Sequence, residues 1–352
     1  MIVHQVLSGA GPHDAVTRIA LACRARFRAW GWGGSDLAAR LSPGLNGAVA
    51  PLAALRAEPE DVLLLHHSAY APRLSELLAL PNPKLLLYHN ITPADLLWDH
   101  APVIATYCAV GRAQLSELVP AVDVAAGDSA FNARELAEAG AVAPRVIAPL
   151  LEAGRGGPAE DAGPSVGAPA TVMFVGRLSP HKRQDAVIRA FALYRRVHAP
   201  DARLVLVGAP VTLAYARLLR QLAETEAPGA VSIEAGLTDR DLDERYRSAH
   251  AFLCLSAHEG FCLPLLEAFR WRIPVVARLA GAIPEVAGDA ALLLDDPDPA
   301  VVAELLALAI DDGALRAELI RRGQARAAAY APSQVAPVLR AAVEEAAGSV
   351  RR

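Results

Sequence analysis

Short apolar runs alternate with longer amphipathic stretches along almost the whole chain, the pattern of strands buried on both faces and helices that cover them. In the first half, strands are predicted at residues 2–7, 61–68, 84–90, 122–126 and 145–148, with helices running to about Trp30, over 101–119 and over 129–140. In the second half, strands at 171–175, 203–208, 231–235, 250–255, 273–277 and 290–294 alternate with helices ending near His198 and Ala249, over 211–226, from about Leu263, and over 299–310 and 313–329. Repeated strand–helix alternation predicts parallel sheets, so the expected class is α/β with two doubly wound, Rossmann-like domains. Between the halves, residues 152–169 hold five glycines and three prolines without periodicity, which marks a linker. The expected division is therefore 1–151, linker 152–169, and 170–330, with a last amphipathic segment from Gln334 to about Ala347 after the break at Pro332.

Composition narrows the function classes. With 352 residues, 53% hydrophobic and 20% charged, the chain has material for two ordinary cores. A net charge of −4 argues against a general nucleic-acid binder and points to small molecules first. The four cysteines form no C-x-x-C pair and lie in or beside apolar segments, which predicts buried free thiols in a reducing compartment and no structural zinc. The chain opens directly on a strand, without a charged leader, and has no apolar run of the roughly 20 residues a membrane span needs, so a cytoplasmic protein is expected. The first helix carries Arg18, Arg24, Arg26 and Arg28 and ends in Phe27, Trp30 and Trp32. Because the arginines spread around the helix, it reads as a solvated helix with a packed aromatic end, peripheral contact with an anionic membrane being the alternative.

The densest candidate chemistry lies over 256–269, where a strand passes through a loop into a helix and places Glu259 in the loop and Glu267 in the early helix. Pro264 suits a first helical turn, and helix starts attract anions, so the junction suits a phosphorylated ligand while the two acids would accept hydrogen bonds from hydroxyls. The plain alternative is a solvated Glu259 and a Glu267 that favours its own helix end. In the first half, Gly9 and Gly11 follow the first strand, but Asp14 stands where a dinucleotide fingerprint needs its third glycine, which disfavours a nicotinamide dehydrogenase and leaves a glycine loop able to face a ligand. His66, His67 and His89, the last followed by Asn90, sit at carboxyl ends of strands, where open α/β sheets bind ligands. Joint zinc ligation by the three is weakly supported, since neighbours on one strand point to opposite faces.

The ordered series Glu259-Gly260-Phe261, Pro264, Glu267-Ala268, Ile273-Pro274-Val275-Val276-Ala277 and Gly281-Ala282-Ile283-Pro284-Glu285-Val286 resembles the signature of glycosyltransferase family 4, retaining enzymes of the GT-B fold. The series covers nearly the whole second half and is weaker over the first. Cys262 stands where such sequences usually have glycine, and Arg183 where they often do after the lysine. The resemblance implies two domains facing a cleft, with the last helix crossing back to the first domain. It implies transfer of a sugar from a nucleoside-diphosphate sugar to a carbohydrate or lipid-linked acceptor, in polysaccharide or glycolipid synthesis, without cofactor or metal. By the same likeness Arg177 and Lys182 hold the diphosphate, Leu237 lies by the base, and Glu267 accepts from the ribose. Glu259 contacts the sugar, supported by amides of Gly260, Phe261, Cys262 and Leu263, and His89 steers sugar or acceptor. A nucleotide-sugar 2-epimerase of similar fold and a catalytically silent sugar-binding protein are the alternatives.

Overall fold

The computed structural model describes residues 1–12, 14–45, 47–151 and 168–349. Its first elements are β1 (Val3–Leu7), α1 (Ala15–Ala29), β2 (Asp36–Ala38), β3 (Ala50–Pro51), β4 (Val62–His67), α2 (Leu74–Leu78) and β5 (Lys84–Tyr88). They are followed by α3 (Pro102–Ala113), α4 (Leu115–Leu118), β6 (Val124–Gly127), α5 (Ala130–Glu138) and β7 (Arg145–Val146). The chain continues through β8 (Thr171–Val175), α6 (Gln184–Val197), β9 (Arg203–Val207), α7 (Leu213–Glu226), β10 (Val231–Glu234), α8 (Asp239–Ser248), β11 (Ala251–Cys254) and α9 (Leu263–Arg270). It ends with β12 (Val275–Arg278), α10 (Ile283–Ala287), β13 (Ala291–Leu294), α11 (Pro299–Asp311), α12 (Gly313–Ala329) and α13 (Pro332–Ser349).

These elements form two compact units, one of residues 1–94, 103–153 and 330–352, the other of 95–102 and 154–329. The first has a seven-stranded sheet in the order β3-β2-β1-β4-β5-β6-β7 and the second a six-stranded sheet in the order β10-β9-β8-β11-β12-β13. The central pairings are parallel, for example Gln5 with Leu64 and Leu65 with Leu86, as uninterrupted apolar strands require. β2 and β3 went unpredicted because three and two residues are too short to show a period. Residues 152–167 of the expected linker lie outside the described residues. α13 packs on β4, β5 and β6, so the last helix belongs to the first unit, as the resemblance implies.

One expectation fails on α1. Arg24 is not solvated but 3% exposed. Its guanidinium donates to Asp36 at 3.0 and 2.9 Å and to the Val3 carbonyl at 2.7 Å. The unpredicted β2 supplies Asp36 beside β1, and a buried guanidinium is tolerated only when its donors are met in this way. The aromatic end is packed as expected: Trp30 and Trp32 lie with ring centres 4.9 Å apart, and the Arg340 guanidinium of α13 stands 5.5 and 5.7 Å from them. Asp14, which broke the glycine fingerprint, caps α1 by accepting from the Thr17 N–H at 2.8 Å. Among the described residues no helix is long and apolar enough to cross a membrane.

Candidate functional site

In the second unit β8 and β11 are parallel neighbours, so the turns that leave their carboxyl ends lie side by side. The Ala257 N–H donates to the His181 carbonyl at 2.7 Å and ties the two turns together. Across this seam Lys182 Nζ donates to Glu259 Oε1 at 2.6 Å, and the Ser256 hydroxyl donates to the same oxygen at 2.7 Å. Glu259 is buried, whereas the Lys182 side chain keeps 18% of its surface exposed. Burial pulls the Lys182 ammonium down, but the Glu259 carboxylate and the neighbouring thiols outweigh it, and its pKa is raised. Beside it His181 is held neutral, well below the ordinary histidine value, by burial and then by Lys182, His258 and Arg177. Glycine is required at position 281: φ is +56°, and a Cβ there would stand 2.1 Å from the Glu259 carbonyl oxygen, which accepts from the Ala282 N–H at 2.9 Å.

The helix begins at Leu263 as its pattern predicts. Glu267, on its second turn, is buried and accepts from the Tyr246 hydroxyl at 2.8 Å, and Trp271 stacks on that tyrosine. Cys262 caps the helix in the left-handed region, φ 74° and ψ 63°, and its carbonyl accepts from the Leu265 N–H. Arg183, after Lys182, is left-handed too, with φ 52°. The two positions at which this chain departs from the glycines of the resembling family are thus both ones where glycine is cheapest. Gly260 and Phe261 lie in the loop between Glu259 and this cap. Arg177 is exposed on the turn after β8. Leu237 is half-buried between Gly236 and Thr238, whose hydroxyl caps α8.

The structure thus brings Lys182 and Glu259 together and adds residues that sequence reasoning missed. Cys254, at the end of β11, places its Sγ 3.9 Å from Cys262 Sγ and 4.0 Å from Glu259 Oε1. The signal in the sequence was faint: a cysteine ending a strand eight residues before another, with Ser256 three residues before the glutamate. The bond between the thiols lowers the Cys254 pKa, and the same bond together with burial pushes Cys262 well above its ordinary value.

In the first unit His89 is the centre of a buried relay. Gln5 Nε2 donates to the Ala20 carbonyl at 2.8 Å and to Asp36 Oδ1 at 2.7 Å, which turns its Oε1 toward His66 Nε2 at 2.9 Å. His66 therefore carries its proton on Nε2. Burial and then His89 hold its pKa well below the usual value, so it is neutral and its Nδ1 accepts from His89 Nε2 at 2.8 Å. His89 Nδ1 completes the chain with a hydrogen bond to Asp128 Oδ2 at 2.8 Å, while Asp128 Oδ1 has no hydrogen-bond partner among the described residues. His67 turns the other way, donating to the Gly111 carbonyl at 2.9 Å, so the three histidines do not converge on one point. Asn90 is left-handed and binds Asn132 and Glu135 through Nδ2 at 3.0 and 3.1 Å. The Gly9–Gly11 loop is laid against residues 40–42, and the Gly11 N–H donates to the Thr17 hydroxyl at 3.1 Å.

Residues 160–326 match the family model described as glycosyl transferases group 1. A D-inositol 3-phosphate glycosyltransferase of Acidothermus cellulolyticus is 32% identical over 228 residues, 60% of this chain and 51% of that protein. The chain spans about half the length, or less, of the curated relatives it matches. Among solved structures, sucrose-phosphate synthase from Thermosynechococcus elongatus superposes with a TM-score of 0.76 at 16% identity, covering 98% of each chain. Anabaena Alr3699/HepE in complex with UDP and glucose gives 0.72 at 17% identity, covering 96% of this chain and 99% of that one. At such identities the likeness establishes the fold, and that fold is GT-B.

Proposed function

We propose that the protein is a retaining glycosyltransferase of family 4 that moves a sugar from a nucleoside-diphosphate sugar to an acceptor hydroxyl in polysaccharide or glycolipid synthesis. The observation that carries this reading is the Lys182–Glu259 contact at 2.6 Å, which joins a cation and a carboxylate from two strand–helix turns within the stretch that matches glycosyl transferases group 1. Lys182 and the exposed Arg177 take the diphosphate, whose negative charge grows as the sugar leaves. Glu267 accepts from the ribose hydroxyls with Tyr246 holding its other side, Glu259 receives the sugar, and amides of Gly260, Phe261, Cys262 and Leu263 support it. Leu237 lies by the base. The sugar C1–O bond to the diphosphate breaks, a bond to the acceptor oxygen forms on the same face, and the acceptor proton leaves with the departing phosphate. These fixed cations and helix ends are charge enough without a metal. His89, held between His66 and Asp128, steers the sugar or the acceptor from the first unit, the side that receives the carbohydrate or lipid-linked acceptor.

A thermal-shift screen with UDP-, GDP- and ADP-sugars tests the reading, since a ligand that binds only the folded state raises Tm. UDP-sugars come first, because one structural neighbour was solved with UDP and glucose. The expected result is one base giving a clear shift that Glu267→Ala abolishes by calorimetry. An unchanged affinity of that variant for every nucleotide removes Glu267 from the site.

A further inference from the structure

The donor reading leaves two buried thiols without a task. Cys254 is 1% and Cys262 6% exposed, from different elements, yet their sulfurs are 3.9 Å apart. One ligand atom from each of Cys254, Cys262 and Glu259 lies within 4.8 Å of the others. Tetrahedral zinc, with Zn–S about 2.3 Å and Zn–O about 2.0–2.2 Å, needs two sulfurs about 3.8 Å apart and each about 3.5 Å from the oxygen. The sulfur separation meets that requirement within about 0.1 Å, and Cys254 Sγ to Glu259 Oε1, at 4.0 Å, is about 0.5 Å wide of it. It is far longer than the roughly 2.05 Å of a disulfide. The second sign is the backbone: a side chain held at φ 74° costs on the order of 1–2 kcal/mol, and here that conformation points a sulfur at its partner.

We propose that Cys254, Cys262 and Glu259 form a thiophilic metal site that takes Zn²⁺, with a water completing the tetrahedron, and that the bound ion takes Glu259 from Lys182. Two thiol protons leave as the ion enters, so two thiolates, one carboxylate, the Lys182 ammonium and one divalent ion sum to zero charge, the balance a buried cluster requires. The oxygen that stands 4.0 Å from Cys254 Sγ is Oε1, the atom that Lys182 and Ser256 already hold, so ion and ammonium compete for one atom. Since Lys182 and Glu259 are the donor contacts of the proposed function, the competition rests on that reading: the metal-loaded protein binds nucleotide-sugar weakly.

The test uses the full chain, reduced and freed of metal. Cd²⁺ is titrated while thiolate-to-metal charge-transfer absorption is followed, and Zn²⁺ affinity is measured against a chromophoric chelator. One equivalent bound through two thiolates is expected in the wild type and in Cys23→Ala, with affinity at least about 100-fold weaker in Cys254→Ala. Cys254→Ser, which preserves size and polarity, provides the same comparison should the alanine variant fail to fold. No charge-transfer band in the wild type, or an equal band in both Cys254 variants, overturns the site. Donor thermal shifts are then measured with and without one equivalent of Zn²⁺. A shift lost on adding zinc to the wild type but retained in Cys254→Ser supports the competition, and a wild-type shift that zinc leaves unchanged overturns it. If no donor shifts any variant, the donor reading fails, and the Cd²⁺ titration still decides the metal site.

Discussion

The two units handle buried charge in opposite ways. In the first, Gln5, His66, His89 and Asp128 form a chain in which every ring nitrogen is engaged by protein, and the His89 side chain is only 2% exposed. In the second, Lys182 keeps nearly a fifth of its surface in solvent and spends its charge on one glutamate oxygen, so a polyphosphate has a cation to recruit. A closed network fixes a charge state, whereas an open pair can exchange partners. The first is fixed across the central strands of its sheet and the second has the chemistry of a binding site.

The largest effect that would sharpen this contrast is on Lys182. Lys182→Met should lower sugar transfer by at least about 100-fold, the size lost when one fixed charge at a developing anion is removed. Removing both charges together leaves neither one buried and unpaired, so Lys182→Met/Glu259→Gln should melt near the wild type while remaining inactive. Transfer rates equal to wild type in the single variant would erase the distinction between open and closed. Next is a pH effect on the closed side. Burial holds His67 down to about 4 from an ordinary value of 6.5. The folded state therefore binds fewer protons than the unfolded one between these values, so stability is full above about pH 6.5 and falls as pH drops toward 4, by about 3 kcal/mol for this group. His67→Gln should remove about one proton's worth of slope from a denaturation series across that window, and an unchanged slope would place the acid sensitivity elsewhere. The smallest effect concerns Arg183. Arg183→Gly relieves a left-handed residue worth about 1–2 kcal/mol but adds about 0.5–1 kcal/mol of glycine entropy and loses an exposed pair with Asp185, so a net gain of up to about 1 kcal/mol is expected in urea unfolding.

Much of this was legible in the sequence for physical reasons. Parallel strands such as β4, β5 and β8 are continuous apolar runs, and α9 announced its start through Pro264. Glu259 could be singled out by its place at a strand–helix junction and Lys182 by the family likeness alone, whereas the meeting of their turns needed the pairing of β8 with β11, which no sequence pattern orders. β2 escaped because three residues carry no period, and with it went Asp36, so Arg24 read as a surface charge. The relay escaped because Gln5 and Asp128 are ordinary residues until the sheet order sets β1, β4, β5 and β6 side by side. The thiol pair escaped because strand ends and helix caps become neighbours only through the loop between them.

The last helix has a consequence in the time domain. β4, β5 and β6 are made early, yet α13, which covers them, is encoded after the entire second unit. During synthesis the first unit must wait with an apolar sheet face uncovered while about 180 residues follow, about 10–40 s at ordinary elongation rates. Contacts of such sequence separation also slow the final docking. The early chain is therefore a natural client for chaperones, and a ribosome stalled before Pro332 would release a first unit that cannot complete its core.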